Sequence, residues 1–157
     1  MFNAVFHQRV ATAFLSVCLV MMFLSACSDI VNESYGSFAD ADANGACQRG
    51  WIPSFVPHSA TAIQATHNLD TNQQWLTFQV TPADLQEIRA KLTPVAVEKS
   101  VSPRLVPSWW PDDLKRITAN TPTKYDLFIC RDTVLVTTDW FIALDKESSK
   151  LWLWDTR

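Results

Sequence analysis

The chain is predicted to be α+β: a small antiparallel sheet with one or two helices on one face, behind a signal peptide and a flexible tether. Three observations predict it. Apolar and polar residues alternate from Ile63 to Asp70 and from Trp75 to Val80, and strand-like runs return in the C-terminal third. Short polar turns join neighbouring strands, which favours antiparallel pairing. Only two stretches, after Thr81 and after Pro111, begin as helices do.

In chain order, residues 1–26 read as the signal peptide, 27–46 as the tether and 47–157 as one Trp-rich globular domain. Ser28 to Ala46 is rich in Ser, Asn, Asp, Ala and Gly, with scattered Tyr35 and Phe38 among the rest, a composition that suits a flexible connection. Trp51-Ile52-Pro53-Ser54-Phe55-Val56-Pro57 is an extended segment set by its prolines. From Ile63 the residues Ile63, Ala65, His67 and Leu69 share one face; Asp70-Thr71-Asn72-Gln73-Gln74 is turn chemistry; Leu76, Phe78 and Val80 then alternate. This is the pattern of a β-hairpin.

Thr81-Pro82-Ala83-Asp84 opens a helix, with Thr81 as N-cap, Pro82 at the first position and an acid in the first turn. Leu85, Ile88 and Leu92 share its apolar side, and Pro94 ends it. Val95 to Ser108 shows no period and reads as an irregular connection. Pro111-Asp112-Asp113-Leu114 opens a second, short helix, with its carboxylates where the helix dipole favours them. Tyr125 to Cys130, Thr133 to Leu144 and Leu151 to Trp154 read as strands, the last two joined by Asp145-Lys146-Glu147-Ser148-Ser149-Lys150.

The leader ends in Leu24-Ser25-Ala26-Cys27, behind an uncharged apolar run from Val10 to Leu24 that follows Arg9. A cationic head, an apolar middle and small residues before a cut site describe a secretory signal. The last four residues match the bacterial lipobox. The match implies a diacylglycerol thioether on Cys27, cleavage before it and acylation of the new amino group. The apolar run is shorter than the roughly 20 residues of a spanning helix, although a single-pass anchor with its N-terminus inside is the alternative. Ser28, where an Asp would retain the protein at the inner membrane, favours the inner leaflet of the outer membrane in a diderm host.

Removing residues 1–26 takes away Arg9 alone among charged residues, leaving 12 Lys+Arg against 16 Asp+Glu, a net charge of −4 compared with −3 for the whole chain. With no basic cluster, nucleic-acid binding has no electrostatic footprint. Once Cys18 leaves with the leader and Cys27 is acylated, Cys47 and Cys130 are the remaining pair, and an oxidising compartment favours a disulfide between them. Closing that loop of about 84 residues would stabilise the domain by about 4.5 kcal/mol in the chain-entropy description.

Gly50-Trp51-Ile52-Pro53, His67-Asn68-Leu69-Asp70-Thr71-Asn72, Trp75 and Phe78, and Leu151-Trp152-Leu153-Trp154 together resemble small bacterial lipoproteins with a Trp-rich domain. The resemblance implies no activity, cofactor or catalytic residue. The residues themselves agree with that. The chain has no glycine after Gly50, which excludes a glycine-cradled phosphate loop or a nucleophile elbow in the domain.

His67 with Asp70 and His58 suggests metal or acid–base chemistry, but His67 shares its face with Ile63, Ala65 and Leu69, so a buried, hydrogen-bonded histidine is the better account. Asn68-x-Asp70-x-Asn72 begins like a calcium loop, yet Gln73 and Gln79 stand where Gly and Glu are needed, which leaves an Asx turn. Asp112 and Asp113 are adjacent and point apart on a helix. No catalytic residue, metal or cofactor is therefore assigned.

Trp109-Trp110, framed by Pro107 and Pro111, is the candidate binding site; its alternative role is to lid the sheet. The chain is read as a lipid-anchored, periplasm-facing envelope protein. It is not an enzyme, and it binds membrane lipid through Cys27 and an envelope protein or wall polymer through its domain. An immunity-type inhibitor of an envelope toxin is the variant of this reading, and an envelope hydrolase the less favoured rival.

Overall fold

The computed structural model describes residues 29–97, 102–118, 124–132 and 138–155. The expected signal peptide and Cys27 lie outside the described residues, as do residues 133–137 of the predicted strand from Thr133. Seven strands form a single antiparallel sheet: β1 (Ile30–Ser37), β2 (Thr61–Asn68), β3 (Gln73–Gln79), β4 (Thr93–Pro94), β5 (Tyr125–Asp132), β6 (Thr138–Asp145) and β7 (Lys150–Asp155). Their order across the sheet is β1-β2-β3-β7-β6-β5-β4. Among the described residues the α-helices are α1 (Phe38–Ala43) and α2 (Pro82–Lys91). The antiparallel sheet is as expected, but the described residues are mostly sheet, and α+β overstates their helical share.

The largest correction concerns the expected tether. Residues 30–37 are a full strand, paired with β2 from Ile30↔Asn68 to Ser37↔Thr61. Val31, Glu33 and Tyr35 turn inward while Ile30, Asn32, Ser34 and Gly36 stay exposed. Ser37 then caps α1 by accepting the Asp40 N–H at 3.2 Å. The helix ends in a Schellman closure: Gly45, at φ +76°, donates to the Asp42 carbonyl at 2.9 Å and Ala46 to Ala41 at 3.0 Å. Polar composition therefore concealed an integral edge strand.

The predicted hairpin forms as β2 and β3. Asn68 Oδ1 accepts the N–H groups of Asp70 and Thr71 at 3.0 and 3.1 Å, the Asx turn that replaces the calcium loop. Helix α2 begins as expected: Thr81 Oγ1 accepts the Asp84 N–H at 3.2 Å, and the Asp84 carboxylate also receives the Ser59 hydroxyl at 2.6 Å. The predicted second helix is a single 3₁₀ turn, Asp112–Leu114.

Register sorts side chains onto two faces. One face carries Ile63, Ala65, Leu76, Phe78, Ile142, Leu144, Leu151 and Leu153, against which Ala41 of α1 and Ile88 of α2 pack. The other carries Trp75, Trp154, Phe141 and Leu127, closed by Trp110, Leu114 and Ile117 from the connection before β5. That connection is tied by Ser102, whose Oγ accepts the Ile117 N–H at 2.9 Å, and by Tyr125, whose hydroxyl donates to Asp113 at 3.0 Å.

The expected Cys47–Cys130 disulfide is not formed. Cys47 follows α1, which packs beside β1 and β2, whereas Cys130 is on β5. Four strand spacings separate β2 from β5, about 19 Å at the usual inter-strand distance. A disulfide needs Cα atoms within about 7 Å.

Candidate binding face

The second sheet face changes character along its rows. Following the register, one row runs Leu127, Ala143, Trp152, Thr77, Gln64, Ser34, and the next Ile129, Phe141, Trp154, Trp75, Thr66, Asn32. The β5 end is apolar and covered by the Trp110–Ile117 connection. The β1 end is polar, with Asn32 and Ser34 exposed and Gln64 half-buried. The boundary between the two halves is aromatic.

Trp109 and Trp152, both half-buried, stack there with ring centres 6.2 Å apart and planes 25° from parallel. Trp110 sits beneath them, edge-on to Trp152 at 5.6 Å and to Trp154 at 5.8 Å. The Lys150 ammonium lies 4.4 Å from the centre of the Trp152 ring, a cation–π contact. The Trp109 indole N–H donates to Thr66 Oγ1 at 3.0 Å, and Thr66 donates in turn to Asn32 Oδ1 at 2.6 Å. This relay holds the Trp109 ring at the rim of the polar half.

The two predicted site tryptophans therefore separate. Trp110 is only 2 % exposed and belongs to the core, while Trp109 keeps an accessible part. Sequence reasoning missed Trp152, Lys150, Thr66 and Asn32. The signal for Trp152 was present in Leu151-Trp152-Leu153-Trp154, whose alternation sends both tryptophans to the face opposite the leucines. Chemically, the arrangement offers the accessible parts of two indole rings for apolar contact, amide and hydroxyl groups for neutral hydrogen bonds, and one ammonium.

His67 lies on the other face. It is 3 % exposed and stacks on Trp51 at 4.2 Å, with the Arg49 guanidinium 4.2 Å from the same Trp51 ring. Arg49 pairs with Glu33 at 3.0 Å, and the Tyr35 hydroxyl also donates to Glu33. Burial, with the Arg49 charge adding to it, pushes the His67 pKa down to about 3, so the ring is neutral at ordinary pH. Burial and Glu33 push Tyr35 up to about 12. Among the described residues, His67 Nε2 and the facing Gln74 Oε1 are buried without a hydrogen-bond partner. A buried, hydrogen-bonded histidine was expected; the burial is present, and among the described residues Nε2 makes no hydrogen bond.

His58 stacks on Phe38 at 4.5 Å, away from His67. Asp112 pairs with Lys115 at 2.6 Å and Asp113 with Lys124 at 3.2 Å, so the adjacent carboxylates serve separate contacts. Among the described residues, no cluster of His, Cys, Asp and Glu is placed to hold a metal ion. Among them too, no helix is long and apolar enough to cross a membrane.

A YbbD head domain is found at residues 29–79. The match covers β1, α1 and the β2–β3 hairpin, about a third of the chain, and supports kinship with a small bacterial domain. No curated protein and no solved structure matches the chain.

Proposed function

We propose that this protein is a lipid-anchored binding module of the bacterial cell envelope. Acylated Cys27 holds it to a membrane facing the periplasm, the outer membrane in a diderm host. The observation that carries the anchor is Leu24-Ser25-Ala26-Cys27 at the end of the apolar leader. The binding half of the reading is supported by the rim of half-buried Trp109 and Trp152 beside Asn32, Ser34 and Gln64. Indole faces next to neutral polar side chains suit the sugar rings of a wall polymer, with hydroxyls hydrogen-bonded and apolar ring faces stacked.

The test is co-sedimentation of the purified acylated protein, held in mild detergent, with isolated wall sacculi. The parent protein sediments with the polymer, and Trp109→Ala remains folded but stays in the supernatant. Equal sedimentation of both proteins, or of neither, contradicts the polymer assignment. Recovery of a crosslinked envelope protein through the Trp109 rim, in intact cells, would move the assignment to a protein partner.

A further inference from the structure

Three large hydrophobic side chains stand exposed among the described residues: Ile30 at 41 %, Leu69 at 57 % and Leu105 at 78 %. Two of them share one end of the sheet. Ile30 opens β1 and pairs with Asn68, and Leu69 is the next residue, at the start of the β2–β3 turn. The Leu69 N–H donates to the Asp29 carbonyl at 2.7 Å, which ties the turn to the incoming chain. The turn itself is held by Asn68 Oδ1 and by Asn72 at φ +55°. Leu69 is thus carried on a braced turn and projects from it.

That end of the sheet is where the chain arrives from Cys27. Ile30 is three positions after Cys27, and three extended residues span at most about 10 Å. A cysteine with its acyl chains in the bilayer therefore places Ile30, and Leu69 beside it, within reach of the headgroup layer. Apolar side chains of interfacial segments enter that layer by about 5–10 Å. Asp29 and Asp70 flank the pair, and residues 68–72 contain no cation, so the surface they suit is zwitterionic rather than anionic.

We infer that Ile30 and Leu69 form a membrane-contacting tip that docks the β2–β3 turn into the interface of zwitterionic lipid. The tip rests on the lipid-anchor reading above and adds an orientation to it. The strands stand along the membrane normal, the Lys146–Ser148 turn points away from the bilayer, and the Trp109 rim faces sideways into the periplasm.

The experiment uses the mature acylated protein in phosphatidylcholine nanodiscs, with and without doxyl-labelled lipid, its mass first measured to establish acylation. Backbone amide signals of Ile30, Leu69 and Asp70 relax several-fold faster with the doxyl label, while those of Lys146, Glu147 and Ser148 are unchanged. In Leu69→Ser the enhancement at residues 69 and 70 falls, with acylation and fold retained. Acylated protein showing equal enhancement at both ends, or none, overturns the tip and leaves the anchor standing. Enhancement at residues 69 and 70 that is unchanged in Leu69→Ser also overturns it. A product without acyl chains overturns the anchor and the tip together.

Discussion

His67 is a neutral imidazole sealed between Trp51 and the sheet, and this gives the protein a definite acid response. Its folded pKa of about 3 lies below the ordinary value of 6.5. The unfolded chain therefore binds a proton that the folded chain refuses. Stability from this group is complete above pH 6.5 and is lost as pH falls from there towards 3, by up to about 1.4 kcal/mol per unit. Asp84, Asp112 and Asp139, held below the carboxylate range by their partners, act lower, so the window from pH 6.5 to 4.5 belongs to His67.

Urea unfolding across that window should show the slope, and His67→Phe, which keeps a ring against Trp51, should flatten it. An unchanged slope in His67→Phe would assign the acid response elsewhere. At the tryptophans, Trp110→Ala empties a fully packed site and should cost about 3–5 kcal/mol. Trp109→Ala should cost clearly less, because it loses one indole hydrogen bond and part of a stack. Comparable losses at the two sites would show Trp109 to be core as well.

Among elements, β1 is the most informative. If it is integral, deleting residues 28–37 from the mature protein removes the whole β1–β2 ladder and the Glu33 partner of Arg49, and cooperative unfolding should disappear. A tether would tolerate that deletion with no change in urea midpoint. Thr81→Ala should cost about 1 kcal/mol through loss of the α2 cap.

The hairpin and α2 were legible because their signals are local. Alternation in Ile63–Asp70 and Trp75–Val80, the Asn68 turn and the Thr81-Pro82 start each lie within a few residues. β1 was not legible, because its inward Glu33 is compensated by Arg49, sixteen residues away, and its outward side chains are those of a loop. The disulfide expectation failed for a similar reason. Cysteine counting pairs Cys47 with Cys130, but strand order, set by long-range register, places them across the sheet. The binding rim was half legible. Trp109 stands out in its proline-framed loop, while Trp152 joins it only because β7 inserts between β3 and β6.

At the scale of the whole molecule, the sheet begins at Ile30, so under the proposed acylation little chain separates the lipid from the domain. The YbbD head match starts at residue 29 and the first strand at Ile30, so the domain begins almost at Cys27. A membrane-attached domain with so short a connection has a restricted orientation, and its binding face has a restricted reach. Both consequences depend on acylation of one thiol. The most direct measurement is labelling of growing cells with radioactive palmitate, followed by capture of the protein and of its Cys27→Ser variant. Acylation at Cys27 requires label on the parent protein, none on the variant, and a mature N-terminus at residue 27. No label on the parent, or equal label on both proteins, would contradict it.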